Sequence, residues 1–175
     1  KRFGKISLVS INVFWHRSQS YYDQDDWRGT WEMDGGALMN QASHYVDLLY
    51  WLIGPVKTVN AFTATLGRDI EVEDTAVIQL EWENGALGSM SVSMLTYPEN
   101  LEGSITILGE KGTVRIGGKA VNDIELWKFS DKDLDDELVK DSSYQTTSVY
   151  GFGHPVYYKK MIDFLRGKTS VISKG

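Results

Sequence analysis

Three polar residues with helical spacing, Asn40, His44 and Asp47, form the clearest chemical signal in the sequence. Positions i, i+4 and i+7 share one stripe of an α-helix, and this stripe is distinct from the main apolar face. Histidine exchanges protons near neutrality because the pKa of a free imidazole is about 6.5, and Asp47 would orient the ring from the next turn. The spacing therefore predicts an acid–base site, while a solvated helix face with an incidental histidine would give the same spacing.

The residues just before this stripe predict where the helix begins. Asp34 is a suitable N-cap, and Gly35 and Gly36 would let a ligand approach bare backbone N–H groups at the helix N-terminus. Apolar residues then recur at helical spacing as far as Gly54, a typical helix stop. We expect a helix over residues 36–53, with Gly36 beside the ligand.

A polar, aromatic segment, residues 16–31, precedes the helix, and in it Arg28 stands between Trp27 and Trp31. A guanidinium group binds carboxylate or phosphate through two parallel hydrogen bonds, and aromatic rings suit the apolar face of a sugar. The segment favours an anionic, sugar-like ligand. A surface arginine packed on tryptophan is the other interpretation.

A second histidine, His154, lies in the run Gly-Phe-Gly-His-Pro that begins at residue 151 and leads into a second predicted helix, residues 155–165. The flanking glycines would allow a ligand to come close, but a simple helix-capping loop explains them equally well.

Composition argues against several classes of function. A net charge of −6 and a pI near 5.0 argue against a nucleic-acid surface. The three histidines lack metal-ligand spacing and there is no cysteine, so no metal site is expected, and a cysteine-free chain fits the cytoplasm. No apolar run approaches the ~18 residues that span a bilayer, and no signal peptide is visible.

Alternating and β-branched runs predict an α+β fold, with one large, mostly antiparallel sheet and helices on one face. The uncovered face carries enough apolar residues to favour a homo-oligomer. No Gly-x-Gly-x-x-Gly run follows a strand, so the chain is not expected to bind a dinucleotide by the usual route. The predicted strands are residues 6–14, 56–66, 75–82, 86–95, 102–108, 113–116 and 124–129, and Asn84-Gly85 predicts a hairpin between two of them.

The whole chain, residues 1–175, is expected to form a single domain. It opens without an initiator methionine and passes almost at once into a strand-like run. This beginning predicts a fragment of a longer protein.

The predicted first helix also resembles a known signature. The run GGALMNQASHYVDLLYWLIG at 35–54, the turn GEKG at 109–112 and the run GFGH at 151–154 resemble the C-terminal domain of the glucose–fructose oxidoreductase, inositol dehydrogenase and rhizopine-catabolism (Gfo/Idh/MocA) family. Within that family, residues 15–22, 27–31 and 151–158 are most similar to UDP-N-acetylglucosaminuronate 3-dehydrogenases.

The resemblance implies a two-domain, NAD-dependent enzyme that oxidises a secondary hydroxyl of a sugar, here a UDP-linked N-acetylamino uronate. This chain would be the substrate-binding and oligomerisation half, and NAD would be bound mainly by an N-terminal Rossmann domain that is absent from it. The fragment alone would be inactive.

The resemblance also implies roles for individual residues. His44 would take the proton of the reacting hydroxyl, which contributes of the order of 10²–10⁴-fold to rate, with Asn40 beside it. The residues expected to bind the substrate are Arg28, Tyr21, Tyr22, Asp47, Gly36 and His154.

Asn40 departs from the family pattern, in which many members carry aspartate four residues before the histidine. An amide does not raise the pKa of a histidine as a carboxylate would, but it can hydrogen-bond to a sugar. The identity of the general base therefore stays open. Two other functions also stay open, a non-catalytic sugar-binding or assembly module and a glycoside hydrolase of the wider family.

Overall fold

Alternating apolar and polar residues build one seven-stranded sheet in the computed structural model, which describes residues 2–134, 136–145 and 153–168. The strand order across the sheet is β2-β3-β4-β1-β5-β6-β7. In chain order the strands are β1 (Ile6–Phe14), β2 (Val56–Ala64), β3 (Thr75–Trp82), β4 (Leu87–Ser93), β5 (Glu102–Gly109), β6 (Gly112–Gly117) and β7 (Asp123–Phe129).

The first strand lies in the middle of the sheet. It pairs parallel to β4 on one side and antiparallel to β5 on the other, and the remaining neighbours are antiparallel. The prediction of a mostly antiparallel sheet is therefore confirmed. The insertion of β1 between β4 and β5 was not predicted, because strand periodicity carries no information about which strands pair.

The helix predicted over residues 36–53 is present, but its first turn is wider than an α-helix. Ala37–Gln41 forms a π-helix in which the backbone N–H of Ala42 donates to the carbonyl of Ala37 at 2.9 Å, and α2 then runs over Ser43–Ile53. Three further helices are described, α1 (Gln19–Tyr22), α3 (Asp136–Lys140) and α4 (Gly153–Leu165). None of the described helices is long and apolar enough to cross a membrane.

One face of the sheet forms the core. Val9, Ile11 and Val13 of β1 are fully buried on that face, where Tyr45 and Leu49 of α2 belong to the same apolar cluster. Burial of each such aliphatic side chain stabilises the fold by about 1.5–3 kcal/mol. The prediction that helices cover this face holds for the first predicted helix, which forms the π-helix and α2. The second predicted helix, α4, has no buried residue among those described.

The far end of α2 is fixed by two turns. Gly54 ends the helix with a φ of 112°, a conformation that favours glycine, and its N–H donates to the carbonyl of Tyr50. The side chain of Asn84, in the β3–β4 hairpin, donates to the carbonyl of Ile53 at 3.1 Å and accepts from the N–H of Ala86 at 2.9 Å. The hairpin predicted from Asn84-Gly85 thus also anchors the helix.

The opposite face of the sheet carries small polar residues and a few exposed apolar ones. Ser10 of β1 is paired with Ser89 of β4, and Leu8 is paired with Leu87 in the same ladder. Leu87 is 57% exposed. In the described part of the chain no helix has been found packed on this face.

Candidate functional site

The start of the helix is held by a residue far away in sequence. Glu73 accepts from the N–H of Ala37 through its backbone carbonyl, at 3.0 Å, and from the N–H of Leu38 through its carboxylate, at 2.9 Å. The prediction that Asp34 is the N-cap is wrong. Its carboxylate instead accepts from the N–H of Gly29 at 2.7 Å and from the side chain of Asn40.

Gly36 has a structural reason to be glycine. Its φ is 79°, and a Cβ at this position would collide with the carboxylate of Glu73. Gly36 is itself buried, so the space left by its missing side chain is filled by Glu73. A direct contact between Gly36 and a substrate stays a prediction.

His44 and Asp47 line one open depression on the exposed side of α2, together with Ser43 and Leu48. Both residues are exposed to solvent. No hydrogen bond joins the imidazole to Asp47 within the described residues, so the expected orientation of the ring by that carboxylate is not observed. Because His44 is exposed in this depression, its imidazole is accessible to a ligand, as a catalytic role requires.

Asn40 lies in the π-helix, before the junction with α2, and so the regular i, i+4 spacing to His44 does not hold. The wider turn has about one extra residue, which changes the direction of the side chains on either side of it. Asn40 is half-buried and belongs to a hydrogen-bonded network rather than to a solvated stripe. Its Oδ1 accepts from Nε2 of Gln41 at 2.9 Å, and its Nδ2 donates to Asp34.

The same network extends to an arginine that the sequence did not single out. Gln41, 8% exposed, accepts from Nη2 of Arg17 at 2.6 Å and donates to the hydroxyl of Tyr21 at 3.3 Å. The guanidinium carbon of Arg17 lies 5.4 Å from the ring centroids of both Trp15 and Tyr21, within the range of cation–π attraction. Arg17, Tyr21, Asn40 and Gln41, hereafter the polar cluster, are thus one connected group.

Arg28 contacts the edge of this cluster. Its guanidinium group lies 4.2 Å from the ring centroid of Tyr21 and 5.1 Å from that of Trp27, and its Nε donates to Asp25 at 2.8 Å. The stacking on Trp27 agrees with the alternative interpretation of Arg28 as an arginine packed on tryptophan. The ion pair with Asp25 means that its charge already has a counter-ion.

Tyr21 and Tyr22 differ in exposure although they are adjacent. Tyr22 is 7% exposed, and its ring packs edge-on against Tyr21 with centroids 5.1 Å apart. Burial raises the pKa of the Tyr22 hydroxyl to about 12. The burial of Tyr22 favours a supporting role, while half-buried Tyr21 is the better placed of the two to contact a ligand.

His154 is the second residue of α4 and is exposed. Gly151 and Phe152, which complete its motif, lie outside the described residues. A role for His154 in substrate binding stays a prediction.

A separate cavity of about 400 Å³ lies at the β7 edge of the sheet, lined in part by Trp127, Phe129 and Asp136. Hydrogen bonds from Arg2 and from the indole of Trp127 hold the pKa of Asp136 well below its usual range. This group links the beginning of the chain to the far edge strand, away from α2. Among the described residues, no three histidine, aspartate or glutamate side chains are grouped as metal ligands would be.

Comparison with protein families gives a match over most of the chain. Residues 1–115 match the model of the GFO/IDH/MocA C-terminal domain. Among curated proteins, D-apiose dehydrogenase from Rhizobium rhizogenes is 35% identical over 79 residues, which are 42% of this chain and 22% of that protein.

Two solved structures are similar over nearly the whole chain. The WlbA dehydrogenase from Bordetella pertussis, solved in complex with NADH and UDP-GlcNAcA, is 64% identical with a TM-score of 0.91, over 97% of this chain and 49% of that one. The WlbA dehydrogenase from Chromobacterium violaceum, solved with the same two ligands, is 63% identical with a TM-score of 0.89, over 97% and 47%. The chain therefore spans about half the length of these relatives.

Proposed function

Because the chain belongs to the GFO/IDH/MocA C-terminal domain family, we propose that it is the substrate-binding part of an NAD-dependent dehydrogenase. The substrate would be a UDP-linked N-acetylamino uronate, oxidised at a secondary hydroxyl. The observation that carries this proposal is the 64% identity, over 97% of the chain, to a WlbA dehydrogenase solved with NADH and UDP-GlcNAcA.

The geometry of the described residues is compatible with this chemistry. His44 is exposed in a depression, where its imidazole can take the proton of a sugar hydroxyl as general base. Asn40 is held by Asp34 and Gln41, so its remaining amide N–H can donate to a neighbouring sugar oxygen without a change of rotamer. Such fixed groups favour catalysis because they lose little freedom in the transition state.

The polar and aromatic surroundings suit a sugar nucleotide. Tyr21 belongs to the polar cluster, Arg28 stacks on the ring of Tyr21, and Trp31 is 68% exposed and available to the apolar face of a sugar ring. We assign the remaining substrate contacts to Gly36 before the helix, to Asp47 on α2 and to His154 at the start of α4, and we assign the buried Tyr22 to the support of Tyr21.

NAD, when bound, supplies the hydride acceptor. The described residues contain no strand–glycine-rich turn–helix unit of the kind that cradles a dinucleotide, so we place its binding site mainly in the part of the protein outside this chain. The chain alone, residues 1–175, would accordingly be one substrate-binding domain without dehydrogenase activity.

We further propose that the open face of the sheet is a homo-oligomer interface and that the protein is cytoplasmic. Exposed apolar side chains stand opposite one another on that face, Leu8 beside Leu87 and Phe62 beside Val77. Exposed apolar patches with a polar rim are typical of surfaces that another subunit covers.

The test is product analysis with the full-length protein, NAD⁺ and UDP-GlcNAcA. We expect formation of NADH together with a keto sugar. Cleaved sugar without net NADH would indicate a glycoside hydrolase, and binding without any product would indicate a non-catalytic module, so either result would reject the proposal. The isolated chain should give no NADH and no heat of NAD binding by calorimetry.

A further inference from the structure

Two arginines lie against each other without a carboxylate partner. Nε of Arg68 donates to the backbone carbonyl of Arg17 at 2.6 Å, and both residues are half-buried. In the described part of the chain, no carboxylate oxygen lies within 4.0 Å of either guanidinium group. The chain has 24 acidic and 18 basic residues, so a shortage of carboxylates does not explain this.

Both guanidinium groups keep unused hydrogen-bond donors. Nη1 of Arg17 donates to the carbonyl of His16 at 2.7 Å and contacts Oδ1 of Asn100 at 3.4 Å, and Nη2 donates to Gln41. A guanidinium has five N–H groups, so the Nε–H and one Nη2–H of Arg17 are left over within the described residues. Arg68 uses its Nε–H and one Nη1–H, which leaves the other Nη1–H and both N–H groups of Nη2.

The two side chains are held in place by buried groups. Asp74 is fully buried, and its carboxylate accepts from the backbone N–H groups of residues 66, 67 and 68 at 2.9–3.1 Å, which fixes the loop that carries Arg68. Arg17 is fixed by Gln41 and by the rings of Trp15 and Tyr21. A cation held in one geometry binds an anion with a smaller entropy cost than a flexible one.

The position of Arg17 relates it to the reacting end of the site. Gln41, which accepts from Arg17, donates to Asn40, so one amide side chain separates Arg17 from the residue expected to touch the sugar. Arg28, by contrast, is paired with Asp25. Within the described residues, Arg17 is therefore a cation without a carboxylate partner that is linked to Asn40 through a single side chain.

We propose that Arg17, supported by Arg68, binds the carboxylate of the uronate substrate and so selects sugar acids over neutral sugars. This inference rests on the proposed function. It moves the anchoring of the acid from Arg28 to Arg17, because a carboxylate gains most from a guanidinium whose donors and charge are not already used.

The experiment compares two ligands in the full-length protein by calorimetry. UDP-GlcNAcA carries a carboxylate, and UDP-GlcNAc carries a hydroxymethyl group in its place but keeps the same diphosphate. We expect the wild-type protein to prefer the acid. Arg17→Gln should weaken binding of the acid by about 10–100-fold, the usual loss on removing a charge-assisted hydrogen bond, and change the affinity for UDP-GlcNAc by less than about 2-fold.

Two further variants separate binding from folding. Arg17→Lys keeps the charge but loses the planar guanidinium group, and should weaken binding of UDP-GlcNAcA by about 3–10-fold. Arg68→Gln should act in the same direction as Arg17→Gln. Lys57→Gln, which removes one exposed cation from edge strand β2, is the matched control and should leave both affinities unchanged.

Equal weakening of both ligands by Arg17→Gln would assign Arg17 to the diphosphate or to the fold, and would overturn the inference. So would equal binding of the two ligands by the wild-type protein, or unchanged affinities in the Arg17 and Arg68 variants. These results differ from failure of the proposed function, in which the wild-type protein forms no NADH from UDP-GlcNAcA.

Discussion

The side chain of Asn40 donates a hydrogen bond from Nδ2 to Oδ1 of Asp34. The other carboxylate oxygen of Asp34 accepts from the backbone of Gly29, so Asp34 ties the aromatic loop to the start of the helix. This contact gives a physical reason for an amide at position 40, where the family resemblance predicts an aspartate. A carboxylate at position 40 would lie against the carboxylate of Asp34, and the two negative charges would repel each other.

Asn40→Asp should therefore destabilise the full-length protein at neutral pH. A hydrogen bond is replaced by repulsion between two carboxylates, at a cost of about 1–3 kcal/mol. One carboxyl of such a pair has a raised pKa in the folded state, so the deficit should shrink as pH falls toward about 4. Thermal melts across this pH range check the expectation. Asn40→Ala is the control, because it removes the hydrogen bond to Asp34 without adding a second carboxylate, and its deficit should be smaller and depend less on pH.

His44→Ala should lower the turnover of the full-length protein by about 10²–10⁴-fold, the usual contribution of a general base. Because the imidazole is exposed, stability should change by no more than about 0.5 kcal/mol. Steady-state kinetics and a thermal melt measure the two effects. Val46→Ala, also exposed on α2, should leave turnover unchanged. Normal turnover in the His44 variant would remove the imidazole from the mechanism.

Glu73→Ala should loosen the π-helix that carries Asn40. It removes the carboxylate that accepts from Leu38, at a cost of about 1–3 kcal/mol for a partly buried donor left without its charged partner. Hydrogen–deuterium exchange of residues 37–41 should become faster, with exchange in β1 unchanged. Glu73→Gln keeps an oxygen acceptor for Leu38, so it should lose much less stability and its exchange at residues 37–41 should rise much less. Equal exchange in all three proteins would show that the carboxylate does not hold the helix start.

The strand ranges and the hairpin could be predicted from sequence because their signals are local. Alternation placed β1 and β3 on their observed residues, and Asn84-Gly85 marked the hairpin correctly. The end of α2 at Gly54 was predicted for the same reason, since a glycine with positive φ terminates a helix within one residue.

The polar cluster and the contact that holds the start of the helix could not be predicted in this way. Glu73 lies 35 residues from Leu38, and Arg17 lies 24 residues from Gln41, so neither contact leaves a periodic signal. The predicted stripe of Asn40 and His44 assumed 3.6 residues per turn. The π-helix has more residues per turn, so that spacing does not hold across it. Gln41, directly after Asn40, could have been considered as a buried polar residue from its helical position.

Tyr22→Phe should reduce the loss of stability at alkaline pH. The unfolded chain loses tyrosine protons near pH 10, whereas folded Tyr22 keeps its proton until about pH 12. Between these values the unfolded state binds fewer protons, so stability falls as pH rises, by about 2–3 kcal/mol for this residue. Urea unfolding at pH 9 to about 12 measures the slope. Tyr97→Phe, at a 91% exposed position, should behave as the wild type.

Leu87→Arg should lower the oligomer mass of the full-length protein. Leu87 is 57% exposed on the open face of the sheet, directly opposite Leu8 in the neighbouring strand. An apolar pair there stabilises a subunit contact only if a second chain covers it, and an arginine in its place would have to be desolvated without a partner. Light scattering coupled to gel filtration measures the mass. Leu134→Arg, at a 95% exposed position outside the sheet, is the control and should keep the wild-type mass. An unchanged mass in the Leu87 variant, or a wild-type protein that is already monomeric, would reject the open face as the interface.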